Sequence, residues 1–120
     1  MEGEIHDLYS LKEGDFITLV PKKQIPNRIP ITRNNKMVCC FWGGLVEDGE
    51  GEKGWHSAYA KFMINLANEL CVEDTFGIDT NHQIVRKPTP AEMFQLIDEL
   101  RKAGYRYDRK KKKLIKINVG

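Results

Sequence analysis

Side chains with catalytic potential are few and widely spaced in this chain. The two serines and three histidines are Ser10, Ser57, His6, His56 and His82. None lies in a G-x-S-x-G elbow, which presents a serine nucleophile, or in an H-E-x-x-H helix, which aims two imidazoles at one zinc ion. No glycine-rich phosphate-binding loop is present. We therefore expect neither enzymatic activity nor a cofactor, although an active site assembled from distant residues would leave no trace in one sequence.

The three cysteines, Cys39, Cys40 and Cys71, do not form a metal-binding motif. Adjacent residues of a strand point to opposite faces, so Cys39 and Cys40 cannot readily share a tetrahedral zinc ion as a C-x-x-C pair can. The acidic turn at 47–54, counted from Asp48, lacks the glycine and the bidentate glutamate of a calcium loop. An odd number of cysteines fits a reducing compartment. The sequence predicts free thiols, no metal and a cytoplasmic protein.

Cations concentrate at the C-terminal end, where residues 101–120 hold nine Lys or Arg against one Asp. Residues 1–100 hold ten Lys or Arg against 16 Asp or Glu. A basic end could contact phosphates while a neighbouring tyrosine stacks on a base, which makes nucleic-acid binding the alternative function. A lysine-rich turn also serves solubility and protects an edge strand. The residues that would contact nucleic acid are Tyr105, Arg106, Tyr107, Arg109, Lys110, Lys111, Lys112 and Lys113.

The segment from Pro21 to Lys36 has three prolines and no sustained hydrophobic period, which indicates a long loop. Loops of about fifteen residues in compact domains are usually functional or mobile. The leading functional hypothesis is a non-enzymatic module that binds a protein partner through this loop or through a sheet edge. The loop residues assigned to binding are Pro21, Lys22, Lys23, Pro26, Arg28 and Pro30.

The elements that would position these residues are clearest near the C-terminus. Thr89 and Glu92 have the spacing of a capping box, Pro90 suits the first helical position, and Gly104 suits the residue after a helix. The spacing predicts a helix over about 90–103. Its expected apolar stripe consists of Met93, Phe94, Leu96, Ile97 and Leu100. A basic hairpin should follow and pack against this helix, with Tyr105 and Tyr107 on one face and a turn at residues 109–112.

Upstream, residues 15–20 and 37–46 read as strands, with a bulge or bend at Gly43 and Gly44. Residues 57–70 are ambiguous. Apolar residues recur there at intervals of three and four, which favours a helix. Asn65 and Asn68 are nevertheless plausible turn residues between two short strands. The pattern alone favours the helix.

The motifs Thr89-Pro-Ala-Glu92 and Gly104-Tyr-Arg-Tyr-Asp108, with the lysine-rich turn after them, resemble the tail of small uncharacterised proteins of gut anaerobes and their phages. That tail reads A-T-P-E-E-K, then a helix, then G-Y-x-W-(N/D). Here Tyr107 takes the place of the tryptophan. The segments at 11–16 and 40–43 are similar to the group's opening strands. The resemblance implies a sheet-rich, barrel-like body with a hairpin at 57–76, a phage or mobile-element origin, and no known activity.

These observations together predict an α+β fold in a single domain spanning residues 1–120. Residues 1–87 would form the mainly β body, and residues 88–120 the helix and hairpin subdomain. Hydrophobic residues make up 41% of the chain, which suits one core. No run of about 18 apolar residues exists, so neither a transmembrane helix nor a membrane partner is expected.

Overall fold

A computed structural model describes residues 4–21, 36–47, 55–80 and 83–117 of the chain. Within these ranges, a 3₁₀ helix, Leu8–Ser10, precedes seven strands and one α-helix. The strands are β1 Phe16–Pro21, β2 Met37–Glu47, β3 Trp55–Ile64, β4 Leu70–Asp79, β5 Gln83–Arg86, β6 Tyr105–Asp108 and β7 Lys113–Lys116, and the helix α1 is Pro90–Lys102. The α+β class predicted from the sequence is confirmed. In the described part of the chain, no helix has the length and apolar character needed to cross a membrane.

Five strands form an antiparallel sheet in the order β4-β3-β2-β1-β5. The sheet is open, so the barrel-like body expected from the resemblance is wrong. The physical reason lies at the β5 edge. The N-terminal segment runs along it, because Glu4 bridges Arg86 and the Ile5 N–H donates to the Val85 carbonyl at 2.7 Å. This contact uses the edge groups with which β4 would have to pair to close a barrel.

Residues 55–79 form a hairpin, as the resemblance implied for 57–76, and the helix favoured by periodicity alone is wrong. Strands β3 and β4 pair from Trp55 opposite Asp79 to Ile64 opposite Leu70. The turn between them is held by Asn65, whose side-chain oxygen accepts the Glu69 N–H at 2.9 Å. Phe62, Met63 and Ile64 are all buried, so β3 carries apolar residues on both faces at this end. Together with the exposed Tyr59, these neighbouring apolar positions imitate a helical period.

Two apolar clusters lie on opposite faces of this sheet. The first contains Leu8, Ile17, Leu19, Cys39, Phe41, Ala58, Ala60, Met63, Phe76, Ile78 and Val85. The second contains Val38, Cys40, Phe62, Ile64, Leu96 and Leu100, with Tyr105, Tyr107 and Leu114 packed against it. The N-terminal segment therefore covers one face, and α1 together with the C-terminal hairpin covers the other.

The predicted irregularity in β2 is confirmed at its two glycines. The pairing register of β2 with β3 shifts between Phe41 and Gly43 and again between Gly43 and Val46. Gly44 has a φ of +68°, and a Cβ atom there would lie 2.6 Å from the ring of Tyr59. Glycine adopts that left-handed backbone without strain, and any side chain there would have to displace the Tyr59 ring.

The helix begins and ends where the sequence predicts. The Thr89 hydroxyl accepts the Glu92 N–H at 3.2 Å, and Glu92 accepts the Thr89 N–H at 2.8 Å, which completes the capping box. The predicted apolar stripe is wrong in part. Only Leu96 and Leu100 of its members are buried, whereas Phe94 is 71% exposed. Phe94 lies about 160° from Leu96 around the helix axis, so the two side chains cannot face the same sheet.

Candidate functional site

Glu92 is the most heavily bonded carboxylate described, and it is 98% buried. Its Oε1 atom accepts hydrogen bonds from Arg86 Nη1 at 2.7 Å, from the Thr89 N–H at 2.8 Å and from the Thr18 hydroxyl at 3.1 Å. Its Oε2 atom accepts from Arg86 Nη2 at 2.8 Å and from Lys36 Nζ at 2.7 Å. The carboxylate thus ties the helix to β1, to β5 and to the start of β2.

Electrostatics keep Glu92 ionised. Burial alone would raise its pKa, but the hydrogen bonds from Arg86, Lys36 and the Thr89 N–H outweigh burial and hold the pKa well below its usual range. The hydrogen bond between Arg86 and Glu92 also raises the pKa of Arg86. Both carboxylate oxygens are fully engaged, so Glu92 stabilises the fold and has no lone pair left for a substrate. The capping-box spacing predicted its role at the helix end but not these distant partners.

The three cysteines and the two described histidines, His6 and His56, do not converge on one point. Cys39 and Cys40 are fully buried, and burial raises the pKa of the Cys40 thiol to about 12. Cys71 is partly exposed and accepts a hydrogen bond from Asn65 at 3.4 Å. Within the ranges that the structure describes, no three His, Cys, Asp or Glu side chains are placed to hold a metal ion. His82 and the acidic turn at 48–54 lie outside those ranges.

Residues of the predicted binding loop can be placed at only one end. Pro21 is the last residue of β1 and pairs with Gln83. Lys22, Lys23, Pro26, Arg28 and Pro30 lie outside the described residues. The other predicted binding element was a sheet edge. Neither edge is a regular strand with free backbone groups along its whole length. Glu4 and Ile5 run along β5, and β4 carries exposed Glu73 and Asp74, of which Glu73 has a φ of +52°. Such features discourage edge-to-edge pairing.

The two tyrosines of the basic hairpin are packing residues. The Tyr107 ring lies 5.2 Å from the Phe62 ring and 5.8 Å from the Phe16 ring, between centroids and in edge-on geometry. Burial raises the pKa of Tyr107 above its usual range. Tyr105 packs against the same apolar cluster. These contacts attach the hairpin to the sheet and leave both rings only partly accessible to a stacking base.

The hairpin cations point outward and are exposed at Arg106 and at every position from Arg109 to Lys113. Asp108 shapes the turn by accepting the N–H groups of Lys110 and Lys111 at 3.0 and 3.1 Å. The Lys112 side chain runs over Gly14, where a Cβ atom would lie 3.0 Å from it. Among the described side chains, no carboxylate lies within ion-pair distance of these six cations, whereas Arg101 and Lys102 both pair with Asp98.

A groove of about 400 Å³ opens where the N-terminal segment, the start of β1, the start of α1 and the basic turn meet. The residues that line it are Ile5, Leu11, Asp15, Phe16, Lys87, Pro88, Met93 and Arg109. Its five apolar side chains are half-buried, and its three charged residues are exposed. The Arg109 guanidinium lies over the Phe16 ring, 5.3 Å from the centroid, in a cation–π contact.

Apolar surface continues from this groove along the outward side of α1. Ile97 is one helical turn beyond Met93 and is 37% exposed, and Phe94 is three residues before Ile97 and is 71% exposed. We call Met93, Phe94 and Ile97 the helix patch. Sequence reasoning treated these three residues as core. The sequence carried no signal that separated them, because the burial of Glu92 on the Leu96 and Leu100 side of the helix is seen only in the structure.

Compared with known protein families, with curated proteins and with solved structures, the chain shows no significant match to any of them.

Proposed function

We propose that this chain is a non-enzymatic protein-interaction module and that its binding surface is the helix patch. The observation that supports the proposal is the exposure of Phe94 and Ile97 on a helix whose opposite side is fully packed. Contiguous apolar side chains on a protein surface mark interaction sites more often than isolated ones do. Phe94 makes a suitable anchor, because an aromatic ring buries a large area with few rotatable bonds.

The setting of the patch favours binding over catalysis. Both carboxylate oxygens of Glu92, the buried acid beside the patch, already accept hydrogen bonds. The thiols of Cys39 and Cys40 are buried against the two faces of the sheet. A rigid capped helix presents its side chains without a large loss of conformational entropy on binding. We further propose a cytoplasmic location, supported by three unpaired cysteines, and a phage or mobile-element origin, supported by the resemblance of the C-terminal motifs.

The test is partner capture with matched variants. The full chain is immobilised, and proteins retained from its host's extract are quantified for the wild type, for Phe94→Ser with Ile97→Ser, and for Val46→Ser. Val46 is the control, because it is a 60% exposed apolar residue on β2 that is not part of the patch. We expect the double variant to lose partners that wild type and Val46→Ser retain. Equal capture by all three chains would rule out the helix patch.

Nucleic-acid binding is a second candidate, supported by one specific observation. The hairpin exposes six cations, Arg106 and residues 109–113, for which the described residues provide no carboxylate partner. Unpaired surface cations on a short turn can follow a phosphate backbone. The half-buried Tyr105 and Tyr107 contribute less to this candidate than their positions in the sequence suggested.

A further inference from the structure

We propose that the groove beside the helix patch receives an apolar side chain from a peptide segment whose neighbouring residues are acidic. This inference rests on the proposed function and specifies the partner. The groove and the patch share Met93, so one bound segment can occupy both. The groove would take the anchoring side chain, and the patch would support the rest of the segment.

The apolar floor selects the anchor. Leu11, Phe16 and Met93 come from three different segments of the chain and each remains half-buried, so each still exposes area that a ligand can cover. A volume of about 400 Å³ accommodates one large side chain with part of its backbone. Covering this floor with Leu, Ile, Phe or Trp removes apolar area from water on both partners, which provides the driving force.

The charges at the rim select acidic neighbours. Lys87 and Arg109 line the groove with a single carboxylate, Asp15, whose Oδ2 atom already accepts the Lys12 N–H at 2.9 Å. The rim therefore carries a net positive charge. The Arg109 guanidinium lies 5.3 Å from the Phe16 ring centroid, which places its charge beside the apolar floor. A guanidinium there can donate two parallel hydrogen bonds to one carboxylate.

The experiment is a peptide selection against the folded full chain. A random peptide library displayed on phage is enriched on the wild type, and the best peptides are synthesised and titrated by fluorescence anisotropy. We expect enrichment of an apolar residue with Asp or Glu within three positions of it. A synthetic copy with Asn or Gln in place of these acids should bind about tenfold more weakly. Enrichment without acidic residues would overturn the proposal.

Variants of the chain locate the bound peptide. Arg109→Glu and Met93→Ser should each weaken the selected peptide about tenfold or more. Arg106→Glu makes the same charge change on an exposed arginine of the same hairpin that does not line the groove, so its effect should stay within about threefold. Thermal unfolding of each variant checks its fold. Equal affinities of the peptide for wild type, Met93→Ser and Arg109→Glu would show that it does not bind in the groove.

The outcomes separate this inference from the proposed function. A selected peptide whose binding is lost in Phe94→Ser with Ile97→Ser but kept in the groove variants would sink the inference and leave the function standing. Failure of the library to yield any peptide above an unrelated control protein also counts against the groove. Partner capture by the helix patch is measured separately and does not depend on that selection.

Discussion

Cys39 and Cys40 are consecutive residues, yet their side chains are buried in different apolar clusters on opposite faces of β2. Ile17 lies opposite Cys39 in the neighbouring strand, and Phe16 lies opposite Cys40, so the same division continues across β1. A strand buried on both faces has no polar side on which to place a reactive thiol. The relationship predicts how the three cysteines differ in reactivity.

We expect Cys71 to be the only cysteine that reacts rapidly with a thiol reagent in the folded protein. Burial raises the pKa of Cys40 to about 12 and raises that of Cys39 as well, and no reagent reaches either sulfur without opening the sheet. Cys71 also has a raised pKa, caused by burial and by Asp74, but it is partly exposed. Mass spectrometry of chains labelled before and after denaturation gives the order in which the three cysteines react. Early labelling of Cys39 or Cys40 would contradict the packing.

Replacing Glu92 by Gln should destabilise the fold by about 2 to 4 kcal/mol, because the change leaves Arg86 and Lys36 without their shared counter-ion next to a buried site. Urea unfolding followed by circular dichroism measures the loss. The matched control is Glu99→Gln on the same helix, whose partner Lys102 is 64% exposed, and its effect should stay within about 0.5 kcal/mol. Similar losses in both variants would show that Glu92 is no more than a surface cap.

The contribution of Glu92 to the free energy of unfolding should decrease as the pH is lowered. Its pKa in the folded protein is lowered from an ordinary value of 4.5, so folding favours the ionised form. The contribution is therefore complete above about pH 5 and is lost as the pH falls below 4.5 towards the folded pKa. The difference in unfolding free energy between wild type and Glu92→Gln should narrow from pH 6 to pH 3. A difference that stays constant over that range would refute the ion-pair assignment.

The parts of the fold that could be predicted are those determined by residues close together in the sequence. The helix limits follow from Thr89, Glu92 and Gly104, which act within one turn of the chain, and sequence reasoning placed them correctly. The β3–β4 hairpin could not be predicted from its pattern. Its apolar residues serve two faces, and only the packing of other elements on the sheet reveals this.

The candidate site was predicted less well, because its parts come from distant segments. Leu11, Met93 and Arg109 are more than fifteen residues apart from one another in the sequence but line the same groove. The partners of Glu92 are equally dispersed, since Thr18 is 74 residues away. Residue type indicated that the turn at 109–112 would be exposed and basic. It did not indicate which side of α1 would face the sheet.

The orientation of α1 can be tested with two alanine substitutions. Leu96→Ala should cost about 2 to 5 kcal/mol, because Leu96 is fully buried and its removal leaves a cavity between helix and sheet. Phe94→Ala removes a larger side chain but should cost no more than about 0.5 kcal/mol, because the ring is 71% exposed. The free energies of unfolding give the comparison directly. If Phe94→Ala lost more unfolding free energy than Leu96→Ala, the Phe94 side of the helix would be the one that faces the sheet. The helix patch would then not be exposed.

The last prediction concerns the basic turn and separates the two candidate functions. Changing Lys110, Lys111 and Lys113 to Gln should leave partner binding by the helix patch intact and alter stability by no more than about 0.5 kcal/mol per site. Lys112 is kept, because its side chain packs over Gly14. The control pair Arg101→Gln and Lys102→Gln removes cations that already have a carboxylate partner.

A labelled single-stranded oligonucleotide, titrated at several salt concentrations, provides the measurement. If the turn only forms a solvated surface, the triple variant, the control pair and the wild type should all bind it weakly and with similar salt dependence. If the turn contacts phosphates, the affinity of the wild type should fall steeply with salt, and the triple variant should lose about one unit of log–log slope per lysine removed. Submicromolar binding near physiological salt that disappears only in the triple variant would make nucleic-acid binding the leading function.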